Sequence, residues 1–255
     1  MHDFTRRAAG AAGGALIAMG VALGLASLWA RPQQPPSQPA SAEVLTETFV
    51  RIAVAADPFP LRTWRNEVRM LVIGEQADEL RPLVERAAES FAAWTGVDTM
   101  VVSAPEQGFN VLIESMPRVE YARGVAEMGG GGEAGQYLEE HLVCYSTGLS
   151  RADSAALLRA TVAIPDDLDP KERERCVWHE LMHVFGIFGH PDQRVPSVLA
   201  RATTPTAGDI LFVRTLYDPR LADLRAADAA ARVRAVIDAL LDEPDPTSNM
   251  AARGN

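Results

Sequence analysis

The sequence predicts an α+β domain, and three observations predict it. Four short strand-like runs lie between Glu67 and Pro165. One helix-length segment interrupts them, and helical spacing takes over after Pro165. Strands first and helices last is the element order of an α+β chain.

The elements can be justified in order. "EVRMLVIG", Glu67 to Gly74, alternates as a strand does. In the next segment Leu80, Leu83, Val84, Ala87, Phe91 and Trp94 recur at helical spacing, and Gly96 can end that helix. "TMVVS" and "FNVLIES" read as two further strands. "MGGGGEAG", Met128 to Gly135, is a flexible loop. It has no phosphate-binding pattern, because no Lys-Ser/Thr pair follows it. "ATVAIP", Ala160 to Pro165, is a short apolar strand. A helix should then start at Asp169, a good N-cap, with Pro170 at its first position and Glu172 at capping-box spacing. Gly186 can end it. "AGDILFVRTLYD" and "AADAAARVRAVIDALLDE" complete a helical C-terminal part.

The flanks divide the chain. Arg6 and Arg7 precede an uncharged run from Ala8 to Ala30, long enough to span a bilayer. Basic residues come first, so the N-terminus should stay inside and the body should be exported. Residues 1–31 therefore read as an anchor, with a signal peptide cut after a small residue such as Ala26 as the alternative. The body would be membrane-tethered in one case, periplasmic or secreted in the other. Residues 32–43 are a Pro/Gln-rich spacer. The folded domain is expected over 44–245, with a flexible tail at 246–255. Two cysteines, Cys144 and Cys176, fit one disulfide in an exported chain, with two buried thiols as the alternative.

Net charge is −10, and the first 31 residues are themselves basic. The body is thus more acidic than the whole. It would repel phosphate, which argues against nonspecific nucleic-acid binding.

"RCVWHELMHVFGIFGHPD", Arg175 to Asp192, holds three of the five histidines. His179 and His183 stand one turn apart on one face of the expected helix, as two imidazoles binding one Zn²⁺ must. Glu180 sits beside them, where it can take a proton from metal-activated water and return it to a leaving amine. Val177, Leu181, Val184 and Phe185 make this helix largely buried, so its imidazoles need partners. A surface helix with incidental histidines is the bland alternative. His190 follows the Gly186 break and is the candidate third ligand, with Asp192 next in line.

"HELMHVFGIFGH" resembles the metzincin signature H-E-x-x-H-x-x-G-x-x-H of zinc endopeptidases. Val195 to Pro219 is similar to the segment that holds the Met-turn and the next helix in those enzymes. The resemblance implies a zincin-like α+β fold: a small mixed sheet, a long helix bearing the motif, and a helical C-terminal part. It also implies a Zn²⁺-dependent peptidase acting on a peptide or protein substrate, with Glu180 as general base and acid and His179, His183 and His190 as ligands. "FNVLIES" would be the sheet edge that binds an extended peptide, with an ordinary core strand as the alternative.

Two positions depart from the signature. Its third ligand falls at Gly189, so His190 is one residue late, and a bulge opened by Gly186 and Gly189 must absorb the offset. The Met-turn methionine is matched by Leu199. The domain also resembles a family of uncharacterised exported bacterial proteins, most clearly in Thr63-Trp64, the paired cysteines and "LYDPRL". Two rival readings stand beside the peptidase: a catalytically silent envelope binding module, and a structural zinc site closed by Cys176 or Asp192.

Overall fold

The computed structural model of the chain describes residues 40–54, 61–128, 143–150, 155–192, 194–222, 224 and 228–243. The expected membrane segment, most of the spacer, the glycine run after Met128 and the tail lie outside the described residues. Among the described residues no helix is long and apolar enough to cross a membrane.

In chain order the elements are α1 (Ala42–Phe49, continued by a π-helical turn Val50–Val54), β1 (Thr63–Trp64), β2 (Val68–Gly74), α2 (Ala77–Thr95), β3 (Thr99–Val102), β4 (Val111–Met116), α3 (Arg118–Met128), β5 (Tyr145–Ser150), β6 (Ala156–Pro165), α4 (Pro170–Val184), α5 (Ala207–Leu216) and α6 (Ala229–Leu241). Helices and strands interleave, so the architecture is mixed α/β. The sheet runs β1-β6-β4-β2-β3 with every pairing on that path parallel, and β5 joins β6 antiparallel. This corrects the expected strands-then-helices order. Parallel neighbours need long crossovers, and α2 supplies one between β2 and β3.

Four elements carry no signal that the sequence patterns detect, and each has a reason. β1 is two residues long. α1 is eight residues, capped by Ser41, which starts the fold two residues earlier than expected. α3 buries Tyr121 and Val125 against Ala163, too few apolar positions to read as a stripe. β5 is "YSTGLS", and none of its residues is fully buried. The strand expected at the sheet edge, "FNVLIES", is instead interior. β4 pairs with β2 on one side and β6 on the other, so its alternating Val111 and Ile113 belong to the core.

The helix of interest forms as its punctuation predicts. The Asp169 carboxylate accepts from the N–H groups of Lys171 and Glu172, and Pro170 opens the first turn. One side of α4 packs on α2. Phe91 stacks on Phe185 with ring centroids 4.1 Å apart, and Trp178 lies against Phe91 and Trp94. Cys176, Leu181 and Met182 are fully buried.

The far end of α4 is clamped by segments distant in sequence. The Trp64 indole N–H donates to the Val184 carbonyl at 2.9 Å. The Tyr217 hydroxyl donates to the Phe185 carbonyl and accepts from the Trp64 N–H, both at 3.2 Å. These bonds satisfy carbonyls that a helix end leaves orphaned. Gly186 has φ +104°, and a Cβ there would lie 2.2 Å from the Arg62 carbonyl oxygen. Only glycine lets the chain turn so close to β1.

Candidate metal centre

His179 and His183 project from one face of α4 with ring centroids 5.0 Å apart. Each ring is held from behind. His179 Nδ1 lies 3.1 Å from the Val198 carbonyl oxygen, and His183 Nδ1 lies 2.5 Å from that of Ile187. A carbonyl only accepts, so both Nδ1 atoms carry the proton. Both Nε2 atoms are therefore bare lone pairs, and they face each other at 3.3 Å.

His190 joins them. Its Nε2 lies 3.2 Å from His179 Nε2, and one ligand atom from each of the three imidazoles falls within 4.8 Å of the others. The chain turns toward this point through a Schellman cap on α4, with Gly186 at positive φ: the Gly186 N–H returns to His183 O and the Ile187 N–H to Met182 O. Asp192, the other candidate, is turned elsewhere. Its carboxylate pairs with Arg51 at 3.1 Å and Arg194 at 2.8 Å, and those guanidinium hydrogen bonds hold it well below the usual carboxylate range.

The chemistry of this set fits a metal ion. The His179 and His183 lone pairs, facing at 3.3 Å, repel unless a cation or a donor sits between them. Nitrogens bound at about 2.0–2.1 Å with tetrahedral angles stand about 3.3–3.4 Å apart. Burial keeps the rings neutral, as ligands must be: His179 is pushed down to about 3 and His183 to about 4, with the neighbouring imidazoles adding to the shift. The half-buried His190 is lowered by burial as well. The spacing suits a tetrahedral ion and does not single out zinc.

Glu180 lies beside the ligands, 3% exposed. Its Oε2 accepts from the Ser146 hydroxyl at 2.7 Å. Burial pushes this carboxyl up to about 7, against a smaller opposite pull from Ser146. Ser146 belongs to β5, and β5 is fixed to α4 by the Cys144–Cys176 disulfide, as the cysteine count predicts. Cys176 and Glu180 are one turn apart on the helix, and Cys144 and Ser146 are two apart on the strand. The disulfide and the hydrogen bond are thus successive rungs between the same two faces. Together these walls enclose a cleft of about 410 Å³, lined by β5 from Tyr145 to Gly148, by Leu157, Ala160, Val184 and Phe188, and by all three histidines and Glu180.

Residues 42–235 match the family described as protein of unknown function (DUF2927). The chain belongs to the DUF2927 family. No curated protein and no solved structure matches it. The matched span runs from the first residue of α1 into α6, so the DUF2927 domain contains the whole cleft.

Several residues that shape the site in this DUF2927 domain escape sequence reasoning. The turn carrying Val198 is braced by Asp209, which is fully buried. Asp209 accepts from Ser197 Oγ at 2.5 Å, from the Val198 N–H at 3.0 Å and from the Thr206 N–H at 2.8 Å. Thr206 and Asp209 form a capping box at the start of α5, a spacing that is readable. That the same carboxylate also steadies the carbonyl behind His179 is not. Leu199, at the Met-turn position, is 2% exposed and packs in the core. Ser146 has no motif at all.

Proposed function

We propose that this domain is a metal-dependent peptidase, with zinc as the metal, of zincin-like fold. The observation that carries the reading is the convergence of three imidazole nitrogens beside a buried carboxylate, in a cleft walled by an edge strand. A bound divalent ion would supply Lewis acidity to a carbonyl and to water in an open coordination position. The chain's own residues do the rest. Glu180 takes a proton from the attacking water and returns it to the leaving amine, and its carboxyl near 7 suits both directions at neutral pH. Ser146 fixes one carboxylate oxygen and leaves the other free to exchange that proton.

The substrate is an extended peptide or protein segment. Among the described residues β5 pairs on one side only, with β6. Tyr145 to Gly148 of this strand line the cleft, and we assign strand addition of the substrate to its second edge. The disulfide supports action outside the cytoplasm. It also bears on the structural-zinc rival. Cys176 is consumed by Cys144, and Asp192 by two arginines, so neither remains to close the coordination shell.

The test is metal analysis beside hydrolysis of an unstructured protein. Wild type should carry near-stoichiometric zinc and cleave. His179→Ala should lose both, and Glu180→Gln should keep zinc and lose cleavage. Zinc-loaded wild type that cleaves nothing, with a cellular effect unchanged in Glu180→Gln, would turn the reading toward a binding module.

A further inference from the structure

We infer that Gly189, docked on the π-helical turn of α1, is the positioning residue that sets the third ligand; this rests on the metal-site reading above. The need for such a device comes from an asymmetry. His179 and His183 are each held by a rigid helix and by a carbonyl behind Nδ1. His190 has neither: it lies in a loop, half-exposed, and its only hydrogen-bond partner among the described residues is the neighbouring imidazole. Its place must come from how its backbone is anchored.

Two anchors fix that backbone. The Gly189 N–H donates to the Ile52 carbonyl at 2.8 Å. A Cβ on Gly189 would stand 2.8 Å from the Ile52 Cα, which is backbone and cannot swing away. Ile52 is itself fully buried. On the other side of His190, Asp192 pairs with Arg51 and with Arg194, and Arg194 reaches Glu47. The loop is therefore tied to α1 on both sides of the ligand. Ile52 lies within the π-helical turn, and such turns recur at functional sites. The one-residue offset follows. The position that the signature gives to a ligand is occupied by a backbone dock, and the ligand moves to the next residue.

The experiment measures zinc affinity by competition with a chromophoric chelator, with the metal-free melting temperature of each variant as the folding control. Gly189→Ala should weaken zinc by about 10–100-fold, the usual size of a supporting-residue effect on a metal. In a His190→Ala background it should cost almost nothing more, because the ligand it positions is gone. Asp192→Ala, at the surface and safe for folding, should show the same pattern with a smaller loss. Equal losses with and without His190 would overturn the inference and mark either residue as merely structural, or Asp192 as a ligand. Unchanged affinity in both variants would also overturn it. Wild type that takes up no zinc would instead sink the metal reading itself.

Discussion

Ser146 on the edge strand holds Glu180 on the metal helix through a hydroxyl–carboxylate hydrogen bond of 2.7 Å. Glu180 has this one hydrogen-bond partner among the described residues, and burial alone would make its charged form costly. Ser146→Ala removes the group that pulls the carboxyl down, so its pKa should rise. Cleavage should fall, and the acidic limb of its pH profile should move to higher pH. Zinc content should not change. Glu180→Gln should lower kcat by about 10²–10⁴-fold, the range for a general acid–base. A Ser146→Ala profile that overlays wild type would show that the hydroxyl tunes nothing.

Asp209 is linked to the candidate metal site through two intermediaries, the Val198 turn and the ring of His179. Asp209→Asn keeps the volume but replaces one acceptor oxygen with a donor facing N–H groups. We expect zinc affinity to fall by about 10-fold or more. Chelator competition reads this directly, and the His179→Ala background should show little further loss from the substitution.

What could be read in advance divides along a physical line. The α4 cap, the stop at Gly186 and the two helical ligands depend on residues within a few turns of each other, and all were legible. The third candidate ligand is legible only as a choice between His190 and Asp192, because the path of the chain after Gly186 depends on contacts that composition does not encode. Arg51 and Arg194 decide where Asp192 points, and Arg51 is far away in sequence. β5 was invisible because an edge strand over a cleft need not be apolar, and its Ser, Thr and Gly match no buried pattern. For β4 the sequence leaves edge and core open, and the core alternative holds: its alternation reports burial and says nothing of which neighbours pair with it. A mixed sheet is expected and found, but its mostly parallel pairing is not legible, because order along the chain does not give separation in space.

The disulfide should matter more for the carboxylate than for the metal. Cys144 and Cys176 close a loop of sequence separation 32, and such a link typically contributes about 2–4 kcal/mol. In a Cys144→Ser/Cys176→Ser protein, β5 loses its covalent rung and keeps its ladder to β6 and the Ser146 bond. Stability in urea should fall by about that amount. Cleavage per folded molecule should drop while zinc content holds, since no ligand lies on β5. Loss of zinc in proportion to cleavage would place the defect in α4 instead.

Tyr217 offers a contrast, because its hydroxyl is structural. Tyr217→Phe leaves the ring against Phe185 but strands the Trp64 N–H and the Phe185 carbonyl. Each unsatisfied buried group costs about 1–3 kcal/mol. Chemical denaturation should show a loss of that order, with kcat of the folded fraction near wild type. A large fall in kcat with intact stability would assign Tyr217 a part in the reaction.

Acid should destabilise the metal-free protein through its own ligands. In the folded state His179 sits at about 3 and His183 at about 4, against an ordinary value near 6.5. Below pH 6.5 the unfolded chain takes up protons that the folded chain refuses. Stability therefore rises with pH from about 4 to 6.5 and is lost as pH falls through that window. Glu180 works the other way. Its folded value of about 7 exceeds the ordinary value of 4.5, so its contribution falls as pH rises between them. His179 and His183, with the half-buried His190 lowered in the same direction, oppose one carboxyl, and the net slope is positive. Urea midpoints measured with a chelator present should drop between pH 6.5 and pH 5. In a His179→Ala/His183→Ala protein the slope should collapse toward zero, because Glu180 and His190 are then the shifted groups left in the cleft and they act in opposite directions. A slope that survives the double substitution would assign the acid sensitivity to groups outside this site.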